Sequence, residues 1–130
     1  MRVLVCGDRN WNDRRKLYDA LDTWNLYSGE KITTIIEGEA KGADRLAADW
    51  GEAHGIEVLR FPADWSEQGR SAGPRRNTRM LKEGKPDLVL AFHDYLDESK
   101  GTKNMVEQAK RAGIPTMVYR RILEGNWVRQ

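Results

Sequence analysis

The residues best suited to chemistry lie in four short segments, each of which follows an apolar run. After the first run, Gly7 allows a sharp backbone turn, and Arg9 can hold a phosphate or carboxylate with two hydrogen bonds. After the second run, Gly38 and Gly42 flank a helix entry whose amides can face an anion, and Asp44 follows in its first turn. Both segments also fit ordinary turns with solvated charges. Neither has the spacing of a Walker loop or of the Gly-x-Gly-x-x-Gly fingerprint.

Arginines are concentrated in the third segment, residues 65–79, where four of them fall within ten positions. This density exceeds what solvation of a helix requires, and the guanidinium group suits planar phosphate recognition. A helix that begins near the Gly-Pro pair of this segment places Arg75 and Arg79 on one face and turns Arg76 about 100° away. The segment predicts an anion site, although a basic solvated face explains some of the arginines. The four arginines are Arg70, Arg75, Arg76 and Arg79.

The fourth segment combines an acidic loop with a helix start. Gly101 and Thr102 supply backbone amides, a hydroxyl and the positive end of a helix dipole, which together suit an oxyanion. The preceding carboxylates oppose an anion unless they point away from it or meet ribose hydroxyls. These carboxylates are Asp94, Asp97 and Glu98.

Apolar runs and helical periodicities alternate along the chain and predict five strands joined through four helices. The strands are expected at 3–6, 32–36, 56–61, 88–92 and 115–119, and the helices near 17–24, 43–53, 74–84 and 105–112. Strands joined through helices are parallel and are covered on both faces. The fold class is therefore α/β, a three-layer Rossmann-like sandwich.

The order of the strands follows from how apolar each run is. Strands one, two and four are nearly unbroken, as central strands are, whereas Glu57 and Arg60 interrupt the third and Pro115 opens the fifth. The five-stranded parallel sheet is therefore expected in the order 3-2-1-4-5. Its topological switch point lies between strands one and four, where open α/β sheets bind ligands, and the loops at 7–13 and 93–102 flank it.

Composition indicates one globular domain. The chain has 130 residues and a mass of 14.9 kDa, enough to bury a core without disulfides. Cys6, His54 and His93 lack metal-ligand spacing, so neither a metal nor another cofactor is expected. No signal-like or membrane-spanning run occurs, which predicts a cytoplasmic protein without a membrane partner. A net charge of only +2 makes nucleic acid a disfavoured partner.

Several motifs, in order along the chain, resemble the YspA/YpsA-like branch of the SLOG superfamily. They are Gly7-x-Arg9-x-Trp11, Glu37-Gly38-x-Ala40-x-Gly42-Ala43-Asp44-x-x-Ala47, Ala63-Asp64-Trp65, Gly69, Ala72-Gly73-Pro74, Arg76-Asn77-x-x-Met80, Asp87 to Phe92, Gly101-Thr102, Met105-Val106 and Gly113-Ile114-Pro115. The resemblance covers residues 1–119, interpreted as the domain. Residues 120–130 form a C-terminal tail, whose Ile122 and Trp127 are candidates for docking on the body or on a second subunit.

The resemblance implies a Rossmann-like fold with a nucleotide or nucleotide-derived ligand over the carboxyl ends of the strands. The superfamily includes the lonely-guy phosphoribohydrolases, the DNA-processing protein of natural transformation and ligand-sensing domains of immunity systems, and many members of this branch come from bacteria and their phages. The hydrolases carry Pro-Gly-Gly-x-Gly-Thr followed closely by glutamate. This chain instead has His93, Asp94 and Tyr95, a longer acidic loop, and Asn104 at the glutamate position. The missing carboxylate weakens the enzyme hypothesis, because it would stabilise an oxocarbenium-like transition state.

Three functional hypotheses follow, of which a sensor or sequestering module for a nucleoside phosphate or an ADP-ribose-type ligand ranks first. Its ligand-binding residues are expected to be Gly7, Arg9, Gly38, Gly42, Asp44, Arg76, Asn77, Gly101 and Thr102. The second hypothesis is a phosphoribohydrolase-like enzyme that cleaves the N-glycosidic bond of nucleoside monophosphates, with Glu37, Asp44 or Asp94 replacing the missing glutamate. The third is single-stranded nucleic-acid binding through Arg70, Arg75, Arg76 and Arg79, with Trp65 as a stacking surface.

A homo-oligomer is also expected from the tryptophan content. Five tryptophans in 130 residues is a high number. Trp11, Trp65 and Trp127 lie outside the predicted strands and helices, so some of them are expected to cover a ligand or a neighbouring chain.

Overall fold

A single parallel sheet of five strands forms the centre of the computed structural model, which describes residues 1–121. The strands are β1 (Arg2–Gly7), β2 (Thr34–Glu37), β3 (Glu57–Arg60), β4 (Leu88–Phe92) and β5 (Thr116–Tyr119). They are ordered β3-β2-β1-β4-β5, and every neighbouring pair is parallel. The predicted fold class and strand order are confirmed.

Helices cover both faces of this sheet. They are α1 (Arg14–Tyr27), α2 (Ala43–Ala53), α3 (Trp65–Gln68), α4 (Ala72–Gly84) and α5 (Gly101–Arg111), with single 3-10 turns at Gly69–Ser71 and Leu96–Glu98. None of the helices within residues 1–121 combines the length and the apolar character needed to cross a membrane.

Successive residues of β1 enter two different cores, because side chains of a strand alternate between its faces. Val3 and Val5 pack with Trp50 of α2 on one face, whereas Leu4 packs with Met105 of α5 on the other. All five side chains are fully buried. Burial on both faces explains why the central strands have unbroken apolar sequences.

The sequence did not predict α3, which lies in a segment expected to be a loop before the helix near Pro74. The Asp64 side chain caps α3 by accepting a hydrogen bond from the Glu67 backbone N–H at 3.1 Å. This acid-x-x-Glu spacing is a helix-start signal that was present in the sequence. Helix α4 then begins at Ala72, so Pro74 lies in its first turn, where a missing N–H costs no helical hydrogen bond.

Trp11 does not cover a ligand or a neighbouring chain, contrary to one possibility raised by its place outside the predicted elements. Its side chain is 2 % exposed and packs edge-on against Phe92, with ring centroids 5.5 Å apart. The indole N–H donates to the Asp13 carbonyl at 3.0 Å. Trp65, in contrast, is 61 % exposed. Trp127 and Ile122 lie outside the described residues.

Candidate functional site

The loop after β1 lies directly on β4 and on the first turn of α2, at the carboxyl edge of the sheet. The Asp8 backbone N–H donates to the Phe92 carbonyl at 2.8 Å, and the Asp8 carbonyl accepts from the Ala43 N–H at 3.3 Å. A side chain at Gly7 would collide with the Phe92 carbonyl, and one at Gly42, where φ is +74°, with the Asp8 carbonyl. Glycine is therefore required at residue 7 by the close approach of β4, and at residue 42 by the close approach of the loop after β1.

Arg76 extends from α4 toward the carboxyl end of β2. Its Nη1 donates to the Gly38 carbonyl at 2.5 Å and to the Phe61 carbonyl at 3.5 Å, and its Nε donates to Asn77 Oδ1 at 3.1 Å. The remaining nitrogen, Nη2, makes no hydrogen bond within residues 1–121. A side chain at Gly38 would collide with the guanidinium group, so the present position of the Arg76 side chain requires glycine at residue 38.

Asn77 continues this hydrogen-bonded connection to α5. The side chain is buried, and its Nδ2 donates to the Gly101 carbonyl at 3.2 Å and to Asn104 Oδ1 at 3.1 Å. The Thr102 side chain is also buried, and its backbone N–H donates to Ser99 Oγ at 3.0 Å. Gly101 is exposed, with open space beside its Cα. The first turn of α5 is therefore held in place while its leading residue remains accessible.

Arg9 is a predicted site residue whose side chain remains accessible. Its side chain is exposed and makes no hydrogen bond or ion pair in the part of the chain that the structure describes. The Arg9 backbone lies against Gly42, where an added Cβ would come within 2.6 Å of the Arg9 carbonyl carbon. The structure thus positions the Arg9 backbone and leaves the guanidinium group accessible.

Asp44 is a buried carboxyl group that organises the loop after β2. Its Oδ2 accepts hydrogen bonds from the backbone N–H groups of Gly38 at 3.0 Å and Ala40 at 3.3 Å. Burial raises the pKa of Asp44 to about 6, although these hydrogen bonds and the nearby Arg76 favour its charged form. The group therefore exchanges its proton close to neutral pH.

Glu37 is a second buried carboxyl group, at the last position of β2, and only 1 % of the residue is exposed. Its Oε1 accepts the Glu39 backbone N–H at 2.6 Å, and its Oε2 lies 3.6 Å from Arg60 Nε. Burial raises the pKa of Glu37 to about 7, against the effect of the Glu39 hydrogen bond, and the negative charge of Asp44 raises it further. Near neutral pH both protonation states are populated.

A hollow of about 210 Å³ opens beside Glu37. Its lining consists of Glu37, Glu39, Ala40, Arg45, Ala48, Asp49 and Arg60. The sequence did not predict this hollow, because Glu37 was a candidate for chemistry only as a substitute for a missing glutamate. A signal was available, because Glu37 ends an apolar strand and its register partner on β3 is Arg60. Opposite charges on paired strand ends indicate a polar site there.

The acidic loop after β4 is partly neutralised by the chain itself. Asp94 is buried and accepts hydrogen bonds from the Arg121 backbone N–H and from Arg121 Nη2, each at 2.7 Å. Burial opposes its ionisation, but the hydrogen bonds from Arg121 outweigh burial, and the pKa of Asp94 is lowered. Asp97 and Glu98 are exposed. A hollow of about 190 Å³ is lined by Asp94, Tyr95, Leu96, Asp97, Glu98 and Arg120.

The remaining arginines of the third segment lie on the surface. Arg70, Arg75 and Arg79 are exposed, whereas Arg76 is half-buried. Arg76 and Arg79 both contact Phe61, Arg76 at its carbonyl and Arg79 over its ring at 5.4 Å from the centroid. Arg79 forms an ion pair with Glu83 at 3.5 Å, which offsets part of this positive charge. Among residues 1–121, no three His, Cys, Asp or Glu side chains are placed to hold a metal ion.

The chain is similar in sequence to a known protein family and to a phage protein. Residues 1–67 match the family model described as "YAcAr: YspA, cpYpsA-related SLOG family". The chain is 36 % identical over 121 residues to the Gene 61 protein of Mycobacterium phage D29, covering 89 % of this chain and 94 % of the phage protein.

The fold is also similar to a solved structure, the X-ray structure of DNA processing protein A (DprA) from Streptococcus pneumoniae. The TM-score is 0.71 and the sequence identity is 16 %. The similarity covers 95 % of this chain but 52 % of the DprA chain, so the present chain spans about half of its length. At this identity the similarity concerns the fold.

Proposed function

The chain belongs to the YspA, cpYpsA-related SLOG family, and we propose that it binds a nucleotide or nucleotide-derived ligand as a sensor or sequestering module. The observation that carries this proposal is the connection from Gly38 through Arg76 and Asn77 to Gly101. It joins the loop after β2 to the start of α5 after β4, across the carboxyl end of β1. Open α/β sheets bind their ligands at this edge.

In this proposal the phosphate groups of the ligand contact Arg9, Arg76 and the first turn of α5. Arg9 and the Nη2 atom of Arg76 offer donors that other described residues do not use, and arginine suits phosphate geometry. The N-terminus of α5, at Gly101, adds backbone amides and a favourable dipole. Asp94 does not oppose the anion, because Arg121 compensates its charge.

The remaining predicted residues of the site shape the loops around the ligand. Gly7 and Gly42 allow the loops after β1 and β2 to lie close together. Asp44 holds the loop after β2 through two backbone hydrogen bonds, and Thr102 anchors the first turn of α5. Substitutions at these positions are therefore expected to change the site by moving its backbone.

A thermal-shift screen with nucleoside phosphates, ADP-ribose and cyclic nucleotides tests the proposal. A ligand at a hundred times its dissociation constant should stabilise the protein by about 2.7 kcal/mol. Arg76→Ala should lose this shift relative to its own unliganded baseline. Arg75→Ala, an adjacent and exposed arginine, should retain it. No shift with any of these compounds at millimolar concentration would reject the proposal.

As a second candidate, we propose hydrolysis of the N-glycosidic bond of nucleoside monophosphates, which the two buried carboxyl groups favour. Glu37 and Asp44 both have pKa values close to neutral, whereas Asp94 forms an ion pair with Arg121. The carboxyl group would protonate the departing base as its bond to C1′ breaks. Water would then bond to C1′ and return a proton to the carboxylate.

Release of free base, followed by chromatography, tests this second candidate. The unmodified protein should release base from at least one nucleoside monophosphate, and Arg76→Ala should release none. Asp44→Asn and Glu37→Gln would identify which carboxyl group supplies the proton. If the unmodified protein releases no more base than Arg76→Ala, hydrolysis is excluded for the substrates used.

A further inference from the structure

We propose that the hollow beside Glu37 holds the ribose of the ligand and makes the site selective for ribonucleotides over 2′-deoxyribonucleotides. The inference rests on the proposed nucleotide-binding function, because it assigns one part of the same ligand to a second group of residues. It names Glu37 as a specificity-determining residue.

The size of the hollow suits a fragment of a nucleotide. Its volume of about 210 Å³ is below the roughly 300–1,000 Å³ of pockets that enclose a drug-sized molecule. It lies between the loop after β2, the end of β3 and α2, which contributes Ala48 and Asp49 to the lining. A sugar ring can therefore enter while the phosphate and base lie outside.

Glu37 has hydrogen-bonding capacity that residues 1–121 do not use. A carboxylate offers about four acceptor positions, yet within that range the Glu37 carboxylate accepts one hydrogen bond, from the Glu39 N–H. Its other oxygen is 3.6 Å from Arg60 Nε, which is longer than a hydrogen bond. The hydroxyl groups of a vicinal diol can donate to this remaining capacity.

The charges around the hollow favour a neutral hydroxylated group over other ligands. Three carboxyl groups, Glu37, Glu39 and Asp49, oppose a phosphate, and two arginines, Arg45 and Arg60, oppose an amine. Arg60 is moreover engaged by the carboxylates on either side of it. A hydroxyl group both donates and accepts, so it can bind Glu37 in either protonation state.

The hollow and Arg76, which is proposed to bind phosphate, lie on the two sides of the end of β2. Glu37 and Gly38 are consecutive, and the Gly38 carbonyl accepts a hydrogen bond from Arg76. Side chains alternate between the two faces of β2. Ile35, on the same side of the strand as Glu37, faces the core that contains α2. Ile36, on the other side, faces the core that contains Met80 of α4. One ligand that passes over the end of β2 can thus reach both Glu37 and Arg76.

Calorimetric titration of the full chain with matched sugar pairs tests the inference. The probes are AMP, GMP, CMP, UMP and ADP, each compared with its 2′-deoxy counterpart. We expect the deoxy compound to bind about 10- to 100-fold more weakly, as for loss of a hydrogen bond to a charged group. Equal affinities within a pair would overturn the inference and leave the proposed function standing. Binding of none of the ten compounds would overturn the inference, and the proposed function would fall as well only if the thermal-shift screen with ADP-ribose and cyclic nucleotides is also negative.

Variants then assign the selectivity to the hollow. Glu37→Gln should reduce the difference within each pair to less than about threefold. Glu57→Gln makes the same change at the opposite end of β3 and should keep the difference. Ala48→Leu fills the hollow from α2 and should also abolish the difference in affinity within each pair. This variant provides a test if Glu37→Gln does not fold. Selectivity that persists in both Glu37→Gln and Ala48→Leu would overturn the assignment.

Discussion

Asp94 and Arg121 hold together the two loops that flank the switch point of the sheet. Arg121 donates to Asp94 Oδ2 through Nε at 2.9 Å and through Nη2 at 2.7 Å. Its guanidinium carbon lies 4.5 Å from the centre of the Trp11 ring, and its Nη1 donates to Asn12 Oδ1 at 2.9 Å. Asp94 follows β4, whereas Trp11 and Asn12 follow β1. A residue beyond the last strand thus fixes the relative position of both loops.

Removal of this arginine is expected to destabilise the fold. Arg121→Ala leaves Asp94 buried without its partner, and breaking a buried ion pair costs about 3 kcal/mol. Urea unfolding at neutral pH measures the change. Arg120→Ala is the matched control, because Arg120 is adjacent and exposed, and it should change the free energy of unfolding by less than about 0.5 kcal/mol. Equal losses in the two variants would contradict the structural role of Arg121.

The stability of the protein should decrease as the pH rises through neutrality. The pKa is raised from 4.5 to about 7 in Glu37 and from 3.8 to about 6 in Asp44. The protonated forms of both carboxyl groups therefore stabilise the folded state. This contribution is complete below the pKa values of the unfolded chain, and it is lost as the pH rises through the pKa values of the folded protein. Asp94 has the opposite sign, since its pKa is lowered from 3.8 and its contribution is lost in acid. These three shifts together place the greatest stability near about pH 4, below the unfolded pKa of Glu37, with a fall from there toward about pH 7.

The variant Glu37→Gln separates the contribution of Glu37 from that of Asp44. Glutamine retains an acceptor for the Glu39 N–H but cannot ionise. The fall in the free energy of unfolding between pH 5 and pH 8 should therefore be smaller in this variant by about 2 kcal/mol. Denaturant titrations at several pH values measure it, with Glu57→Gln as the control. An unchanged pH dependence would show that Glu37 does not carry the raised pKa.

The fold was predictable from the sequence because the burial of a strand determines the pattern of apolar and charged residues along it. Strands buried on both faces are apolar throughout, and edge strands such as β3 carry charges, so the strand order could be derived. The site was less predictable, because the position of a side chain depends on how elements that are distant in the sequence pack together. Arg9 and Arg76 are equivalent candidates in sequence, yet one is exposed and the other donates to the Gly38 carbonyl. The burial of Trp11 in the core was not predictable for the same reason, since it too depends on the packing of distant elements.

Two glycines after β2 should respond differently to alanine. At Gly38 the added Cβ meets the end of a flexible side chain, with the Arg76 Cζ at 2.8 Å. The guanidinium can move away, so Gly38→Ala should cost about 1 kcal/mol of stability but abolish ligand binding. At Gly42 the Cβ meets the backbone of residues 8 and 9 and φ is +74°, so Gly42→Ala should cost more than about 2 kcal/mol. Unfolding and ligand titrations of both variants measure this ranking, which the reverse order would contradict.

We expect the protein to form a homo-oligomer, most simply a symmetric dimer. Several large apolar side chains, including Leu26, Tyr27, Trp65 and Tyr95, are exposed on the described chain, and association would bury some of them. Light scattering at micromolar concentration should give at least twice 14.9 kDa. A truncation after Arg121 tests the contribution of the tail while keeping the ion pair with Asp94. A monomeric mass for the full chain would contradict the prediction.

Nucleotide binding and nucleic-acid binding should be distinguishable by their salt dependence. Trp65 is exposed and Arg70, Arg75 and Arg79 are accessible, so a single-stranded oligonucleotide has both a stacking surface and positive charge available. The pairing of Arg79 with Glu83 and the net charge of +2 reduce this attraction.

We therefore expect a weak interaction with single-stranded oligonucleotides that disappears between about 50 and 200 mM salt, because phosphate contacts along a strand release counterions. Binding of a single nucleotide should change far less over the same range. Trp65→Ala should leave nucleotide affinity unchanged, since Trp65 is absent from the connection between Gly38 and Gly101, and Arg76→Ala should abolish it. Fluorescence anisotropy with labelled oligonucleotides and calorimetry with nucleotides provide the two salt titrations. Tight oligonucleotide binding at about 200 mM salt that is lost in Trp65→Ala would make nucleic acid the primary ligand, because stacking would then contribute more than charge.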